Sequence, residues 1–274
     1  MAHTKDSLYQ LSQRLHDRDF AILNLLTATR CMFTGQIRRV LFYDAASQRA
    51  GNSAASRNLN KLKKYGLVGS LDRRIGSAHA GSTGFIWYIT EQGRRLLKLQ
   101  DPDAEDLEKR ERFIEPGAIT LRHRLAVVEH YVIIFELTFK SNLQLQEIQF
   151  EPTSWRYYQH HGKRVSLRPD LYIRMINDGY EYLIFFEVDL ATENMQTILH
   201  KCERYHDYYH TDIEQKANDV FPVVLWVVPN QKRKDLFIET LDRQYKKTAK
   251  LFCVITPDEL EHTILSGFED VKLY

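Results

Sequence analysis

One hairpin signal restricts the fold of this chain more than any other stretch. Leu171 to Ile176 and Tyr180 to Phe186 are runs rich in β-branched and aromatic residues, and Asn177-Asp178-Gly179 stands between them. Asp-Gly between two such runs is the strongest short-range sign of a two-residue hairpin loop. With Asp178 and Gly179 as that loop, Asn177 faces Tyr180, and each step back along one strand matches a step forward along the other. Asp170 of Arg168-Pro169-Asp170 then stands opposite Glu187 of Glu187-Val188-Asp189, and Arg168 stands opposite Asp189. Side chains alternate along a strand, so all four project from one face. Directly opposed residues have Cβ atoms roughly 4.5–5.5 Å apart, where like charges destabilise a sheet. Two carboxylates placed this way require a cation. The residues alone leave open whether it is a metal ion or Arg168.

The rest of the composition is that of a folded chain. Its 274 residues suit two domains, since one domain usually takes about 100–200. A hydrophobic content of 43% with 12% aromatics supports packed cores and excludes a disordered protein. Apolar runs such as Val220 to Val228 fall far short of the roughly 20 residues a membrane span needs, so no membrane partner is expected. The first residues, Met-Ala-His-Thr-Lys-Asp, lack the apolar segment of a signal peptide. Cys31, Cys202 and Cys253 are far apart and odd in number, which fits neither a disulfide framework nor a zinc module. A cytoplasmic location is the simple expectation.

Charge is unevenly shared. Residues 1–100 hold 16 Lys and Arg against 6 Asp and Glu, whereas the remainder holds 22 against 30. A basic first third joined to an acidic remainder points to a polyanion met by the N-terminal part.

The pattern in that first third predicts a helix over 17–29, a short second helix from a Thr34 cap, and a third from Gly51 to a Gly66 C-cap. On the third, Ala55, Leu59 and Leu62 face inward, with Ser53, Arg57, Asn60, Lys61 and Lys64 on the other side. A strand from Leu67 to Ile75, a loose loop to Gly84, a strand Phe85–Ile89 and a helix from Thr90 follow. Three helices, a β-hairpin and a closing helix make a winged helix-turn-helix over 1–100. The charged, Pro-containing stretch 101–118 reads as a linker.

From 119 to 274 the pattern changes. A helix from Thr120 carries Leu121, Leu125, Val128, Val132, Phe135 and Phe139 on one stripe, with Glu129 beside it. There follow a strand over 143–151, the hairpin already described, a helix over 192–209, the buried strand after Phe221, a helix over 231–247 and a strand over 251–255. Doubly buried strands read as continuous apolar runs, and strand–helix–strand crossovers imply a mixed α/β sheet.

Three resemblances follow from these residues. Arg57-x-Leu59-x-x-Leu62-x-x-x-Gly66-Leu67-Val68, with Tyr88-x-Thr90-x-x-Gly93, resembles winged-helix transcription regulators and plasmid replication proteins. It implies a third helix in the major groove of duplex DNA and a wing on its backbone or minor groove. Ser53, Arg57, Asn60, Lys61 and Lys64 are then the helix contacts, and Arg73, Arg74 and His79 those of the wing. Arg57 and Asn60 suit base edges, and the lysines suit phosphates. Pro169-Asp170 with Glu187-Val188-Asp189, in this order of elements, resembles the PD-(D/E)xK endonuclease fold. The two halves together resemble the replication-relaxation family, carried by plasmids and conjugative elements.

The nuclease likeness implies that Asp170 and Glu187 hold Mg²⁺ or Mn²⁺, aided by the Val188 carbonyl, and that a lysine orients the attacking water. Here Asp189 stands where that lysine belongs. Lys201, on the edge of the next helix with Asn194 and Tyr205, is the candidate replacement, and Lys201-x-x-x-Tyr205 is similar to a Gln-x-x-x-Tyr element of one branch. Glu129 matches an acidic residue found on the first helix of many members. The expected function is a DNA-binding protein of a mobile element in plasmid replication or transfer, with metal-dependent nicking. The alternative is a non-catalytic regulator or replication accessory factor, its site degenerate and Arg168 paired with Asp189 and Asp170. Duplex DNA, replication or transfer proteins and a second copy of the chain are the partners to expect.

Two weaker groupings remain. His206-x-x-x-His210 has metal-ligand spacing on a helix but no third ligand, and reads as a surface pair. Trp155-Arg-Tyr-Tyr-Gln-His-His-Gly is aromatic and basic, suited to cradling a nucleic-acid strand or to capping the core as an ordinary hairpin.

Overall fold

The computed structural model describes residues 5–71, 84–101, 113–245 and 250–274. They form two compact units, Met1–Val132 and Ile133–Tyr274. The division falls inside a helix, while residues 102–112 of the expected linker lie outside the described residues.

The first unit comprises α1 (Lys5–Ser12), α2 (Asp17–Thr29), β1 (Met32–Phe33), α3 (Thr34–Leu41), α4 (Gln48–Lys64), β2 (Val68–Leu71), β3 (Ile86–Ile89), α5 (Glu91–Gln100) and α6 (Ala118–Leu137), which continues into the second. Strand β3 lies between β1 and β2, antiparallel to both. The α4 helix shows how local chemistry sets these bounds. Ser47 Oγ accepts the Ala50 N–H at 3.2 Å and starts the helix three residues before the expected Gly51. Gly51 is instead an interior residue. A Cβ there would lie 3.2 Å from the Phe42 carbonyl oxygen, so α3 and α4 approach closely. At the other end Gly66 adopts φ +73°, its N–H bonds the Lys63 carbonyl at 2.9 Å, and the Leu67 N–H reaches Leu62 at 3.0 Å. Those two bonds satisfy the last carbonyls of the helix, in a conformation open to glycine. Ala55, Leu59 and Leu62 are fully buried, as their spacing requires.

The Tyr88-x-Thr90-x-x-Gly93 pattern has an equally direct cause. Thr90 Oγ1 accepts the Gly93 N–H at 3.2 Å to cap α5 and donates to the Gly66 carbonyl at 2.6 Å. Gly93 lies against the Leu67 carbonyl, whose oxygen would stand 2.3 Å from an added Cβ.

In the second unit the elements are β4 (Gln144–Phe150), β5 (Arg156–His160), β6 (Lys163–Leu167), β7 (Leu171–Asn177), β8 (Tyr180–Val188), α7 (Met195–Tyr209), α8 (Ile213–Asn218), β9 (Val223–Val227), α9 (Gln231–Gln244), β10 (Phe252–Ile255) and α10 (Leu260–Leu265). Five strands make one mixed sheet in the order β10-β9-β8-β7-β4. The β8–β9 and β9–β10 pairs are parallel, and β7 is antiparallel to β8 and β4. The protein is therefore a mixed α/β structure.

The hairpin register is the expected one. Asn177 pairs with Tyr180 and Leu171 with Phe186, around a loop in which Asp178 and Gly179 have φ +48° and +86°. Positive φ at both loop residues is what the tight, strand-matched turn demands. One face of the sheet, including Tyr172, Phe185, Val224 and Trp226, forms a core with Ile198, Cys202 and Tyr205 of α7 and Phe237 and Leu241 of α9. The opposite face, with Ile173, Ile184, Phe186 and Leu225, is buried as well. That is why the strands carry unbroken apolar runs. Among the described residues, strands β5 and β6 pair only with each other.

Candidate functional site

Asp170 lies one residue past the β7–β8 ladder, which ends at Leu171–Phe186. Its Oδ2 accepts the Val188 N–H at 2.8 Å, so the side chain does there what a strand carbonyl would have done. Glu187 is on β8, beside Trp226 of β9 and on the same face as Phe185. Tyr205, completely buried on α7, donates its hydroxyl to Glu187 Oε1 at 2.6 Å. Burial first, then the charge and hydrogen bond of Glu187 and the charge of Asp170, hold the Tyr205 phenol well above its ordinary pKa. It stays a neutral donor that fixes the Glu187 carboxylate. Asp170 and Glu187 are both buried.

Lys201 stands one helical turn before Tyr205. Its Nζ pairs with Glu193 at 3.0 Å and lies 6.0 Å from the centroid of the Trp226 ring. Burial pulls its pKa down, but the charge of Glu187, the hydrogen bond to Glu193 and the charge of Asp170 outweigh it and raise the value. Lys201 is thus a permanent cation at neutral pH, within the electrostatic reach of both carboxylates.

Asp189 has a different partner from the expected one. Its Oδ2 accepts Arg233 Nε at 2.6 Å, and its Oδ1 accepts the Ala191 N–H at 2.7 Å. Arg168, its partner in the degenerate-site alternative, instead bonds Ser166 Oγ at 3.0 Å and lies over the Trp155 ring. The register argument extended the pairing past the end of the ladder at Leu171–Phe186 and ignored α9. Asn230 caps that helix by accepting the Arg233 N–H at 3.0 Å, and β9 runs parallel to β8. The first turn of α9 therefore begins where β8 ends. The Asn230 cap after the apolar run Val223–Val228 was the available signal for Arg233.

Glu129 is used within the first unit, where it accepts from Gln36 Nε2 at 2.9 Å and pairs with Arg39. Gln36 also donates to the Leu125 carbonyl and accepts the Phe33 N–H, so this group braces α3. On α4, Ser53, Arg57, Asn60 and Lys64 form an exposed stripe. Lys61 departs from it. Its Nζ reaches Asp19 Oδ2 at 2.6 Å, and Asp19 is fully buried. Arg73, Arg74 and His79 lie outside the described residues. His206 is no surface residue: it is buried, stacked on Tyr245 and edge-on to Phe252, while His210 is exposed.

The replication-relaxation family model matches residues 23–224, about three quarters of the chain. The chain belongs to the replication-relaxation family. The matched span covers α4 and its stripe, the hairpin, Glu187, Lys201 and Tyr205, and stops before Arg233. No curated protein matches the chain. Membership of the replication-relaxation family suggests a role in the replication or transfer of plasmids and mobile elements. No helix among the described residues is long and apolar enough to cross a membrane.

Among the described residues no three His, Cys, Asp or Glu side chains gather as a metal cluster. Zinc-type cages take three or four protein ligands, whereas Mg²⁺ uses one or two carboxylates and takes its remaining ligands from water and phosphate. Two buried carboxylates, one on β8 fixed by Tyr205 and one just before β7 fixed by a backbone N–H, fit the hard-oxygen donor set of Mg²⁺.

Proposed function

We propose that this chain is a DNA-binding protein of a mobile element, acting in plasmid replication or transfer, whose second unit nicks DNA with Mg²⁺ or Mn²⁺. The first unit is read as a winged helix-turn-helix. The order of its helices and its three-stranded sheet support this, as does the exposed Ser53–Arg57–Asn60–Lys64 stripe on the helix that would enter the groove. The second unit is read as a PD-(D/E)xK nuclease-like domain. The observation that carries this reading is that Tyr205 of α7 fixes the buried Glu187, while the nearby Asp170 is also buried, with Lys201 one turn earlier on the same helix and paired with Glu193. Tyr205 bonds Glu187, and Lys201 is shifted by the charges of Glu187 and Asp170.

Asp170 and Glu187 would hold the ion, which when bound supplies an activated water and charge neutralisation on the phosphate. The chain's own residues have separable tasks. Tyr205 fixes one rotamer of Glu187, and the Val188 N–H orients Asp170. Lys201, held protonated, can offset developing negative charge but cannot take up a proton. Asp189 is already neutralised by Arg233 and serves to anchor α9.

Supercoiled plasmid incubated with the protein and Mg²⁺ or Mn²⁺ tests this reading. Wild type should yield open circles, and Asp170→Asn or Glu187→Gln should slow nicking by at least about 100-fold, since metal stabilisation of the transition state amounts to several kcal/mol. A wild type that binds duplex DNA but nicks it with neither metal leaves the second reading, a non-catalytic regulator or replication accessory factor. The Asp189–Arg233 pair, in the place of the motif lysine, is what favours that alternative.

A further inference from the structure

The β5–β6 hairpin has no part in the carboxylate site or in α4. Its register pairs Tyr157 with Ser166 and Gln159 with Arg164, and Arg156 with Leu167 and Tyr158 with Val165. Alternation gives the ribbon two unlike faces. Tyr158 and Leu167 lie on the inner face, buried in the main core, and Arg156 on that face is neutralised by Glu214 at 2.8 Å. The outer face carries Tyr157, half exposed, and the exposed Gln159 and Arg164, with Trp155 and Arg168 opposite each other just beyond the ladder.

On that outer face two guanidinium groups lie over aromatic rings. Arg164 is 4.4 Å from the centroid of Tyr157, and Arg168 is 4.5 Å from that of Trp155. Charge is segregated here as well. Between Glu151 and Asp170 the chain has no acidic residue, although residues 101–274 carry more acid than base. Lys163, Arg164 and Arg168 are all exposed. A basic ribbon with flat π surfaces, on an acidic domain, is complementary to a polyanion that presents flat faces of its own. Unstacked nucleobases on a phosphate backbone meet that description, and aromatic rings and guanidinium planes are the platforms on which they stack. The base of the hairpin is also fastened to the carboxylate strand. Buried Ser154 donates to the carbonyl of Pro169, the residue before Asp170, at 2.7 Å.

We infer that the outer face of β5–β6 is a grip for single-stranded DNA, leading an unpaired strand past Arg168 toward Asp170. This rests on the reading of the chain as a protein that acts on DNA. A duplex would offer the ribbon phosphates alone. The unpaired strand lets Tyr157 and Trp155 stack, two residues or roughly 6.6 Å apart along the strand.

The full-length protein is titrated into labelled oligothymidine and, separately, into a labelled duplex, with fluorescence anisotropy as the readout. The variants are Tyr157→Ala, Arg164→Ala and the conservative Tyr157→Phe. Removing one stacking platform should weaken single-strand binding roughly 5- to 150-fold, with duplex affinity unchanged and Tyr157→Phe close to wild type. Both substituted side chains are exposed, so unchanged melting temperatures should confirm an intact fold. Equal single-strand affinity in all four proteins would overturn the inference. So would a loss confined to the duplex, which would make the hairpin a duplex contact. A wild type that binds duplex but no single strand defeats the grip and leaves the reading of α4 standing, whereas a wild type that binds neither defeats both.

Discussion

The chemistry of His206 is set by what surrounds it. Its ring stacks on Tyr245 with centroids 4.4 Å apart and meets Phe252 edge-on at 5.3 Å. Neither ring nitrogen has a partner among the described residues. Burial, with a smaller push from His210 and an opposing pull from Asp207, lowers its pKa from 6.5 to about 4. The folded protein therefore keeps His206 neutral while the unfolded chain protonates it. Its contribution to stability is complete above pH 6.5, is lost progressively as pH falls, and levels off below about pH 4. Between pH 7.5 and 5 this one group should remove at most about 2 kcal/mol. Urea unfolding of wild type and His206→Phe at both values checks it: the variant should lose less stability on acidification, and equal losses would sink the assignment. At this scale the sequence was informative where a side chain answers to its own strand. The pairing of β7 with β8 as far as Leu171 and Phe186, the neighbours of Asp170 and Glu187, follows from the Asp-Gly loop alone. It was silent where a partner arrives from a later element: Arg233 claimed Asp189, and Tyr245 and Phe252 enclosed His206.

Elements were legible when their ends carried their own chemistry. Asp17–Thr29 and the Gly66 terminus of α4 match their expected positions, because caps and a positive-φ glycine are local signals. What escaped was either short or defined by pairing. Strand β1 is two residues that exist as a strand only because Phe33 and Met32 meet Ile86 and Trp87. Likewise β5–β6 reads as a hairpin, but its separation from the main sheet is not written in its own residues. The junction of β2, β3 and α5 shows how three elements depend on one position. Gly93 sits where an added methyl would stand 2.3 Å from a backbone oxygen and 2.7 Å from Ile89 Cγ1. A main-chain carbonyl cannot swing aside as a flexible side chain does. Gly93→Ala should thus cost about 1–3 kcal/mol, although alanine is ordinarily the better helix former by about 1 kcal/mol. Thermal unfolding decides the sign, and a stabilised variant would show that α5 shifts freely against Leu67.

For the whole molecule the governing fact is charge, basic over residues 1–100 and acidic beyond. If the first unit is the part that meets duplex DNA, its exposed cations should set both affinity and salt dependence, and its paired cations should set stability instead. Arg57 and Lys64 are exposed on the α4 stripe, whereas Lys61 neutralises the buried Asp19. Replacing Arg57 and Lys64 together by Ala should weaken duplex binding and reduce the salt slope by about 0.9 for each phosphate they no longer neutralise. Lys61→Ala should behave differently. It strands a buried carboxylate, and removing one partner from such a pair costs about 3–5 kcal/mol when fully buried. Lys61 is itself 31% exposed, so a penalty at or below the low end is expected, visible as a lower melting temperature with an unchanged salt slope in the fraction that remains folded. Mobility shifts at several salt concentrations, run beside thermal melts, separate the two behaviours. Duplex binding that ignores Arg57 and Lys64 would remove α4 as the contact surface. A Lys61 variant that melts normally but has a salt slope shallower by one phosphate would mean that this lysine leaves Asp19 to reach the DNA.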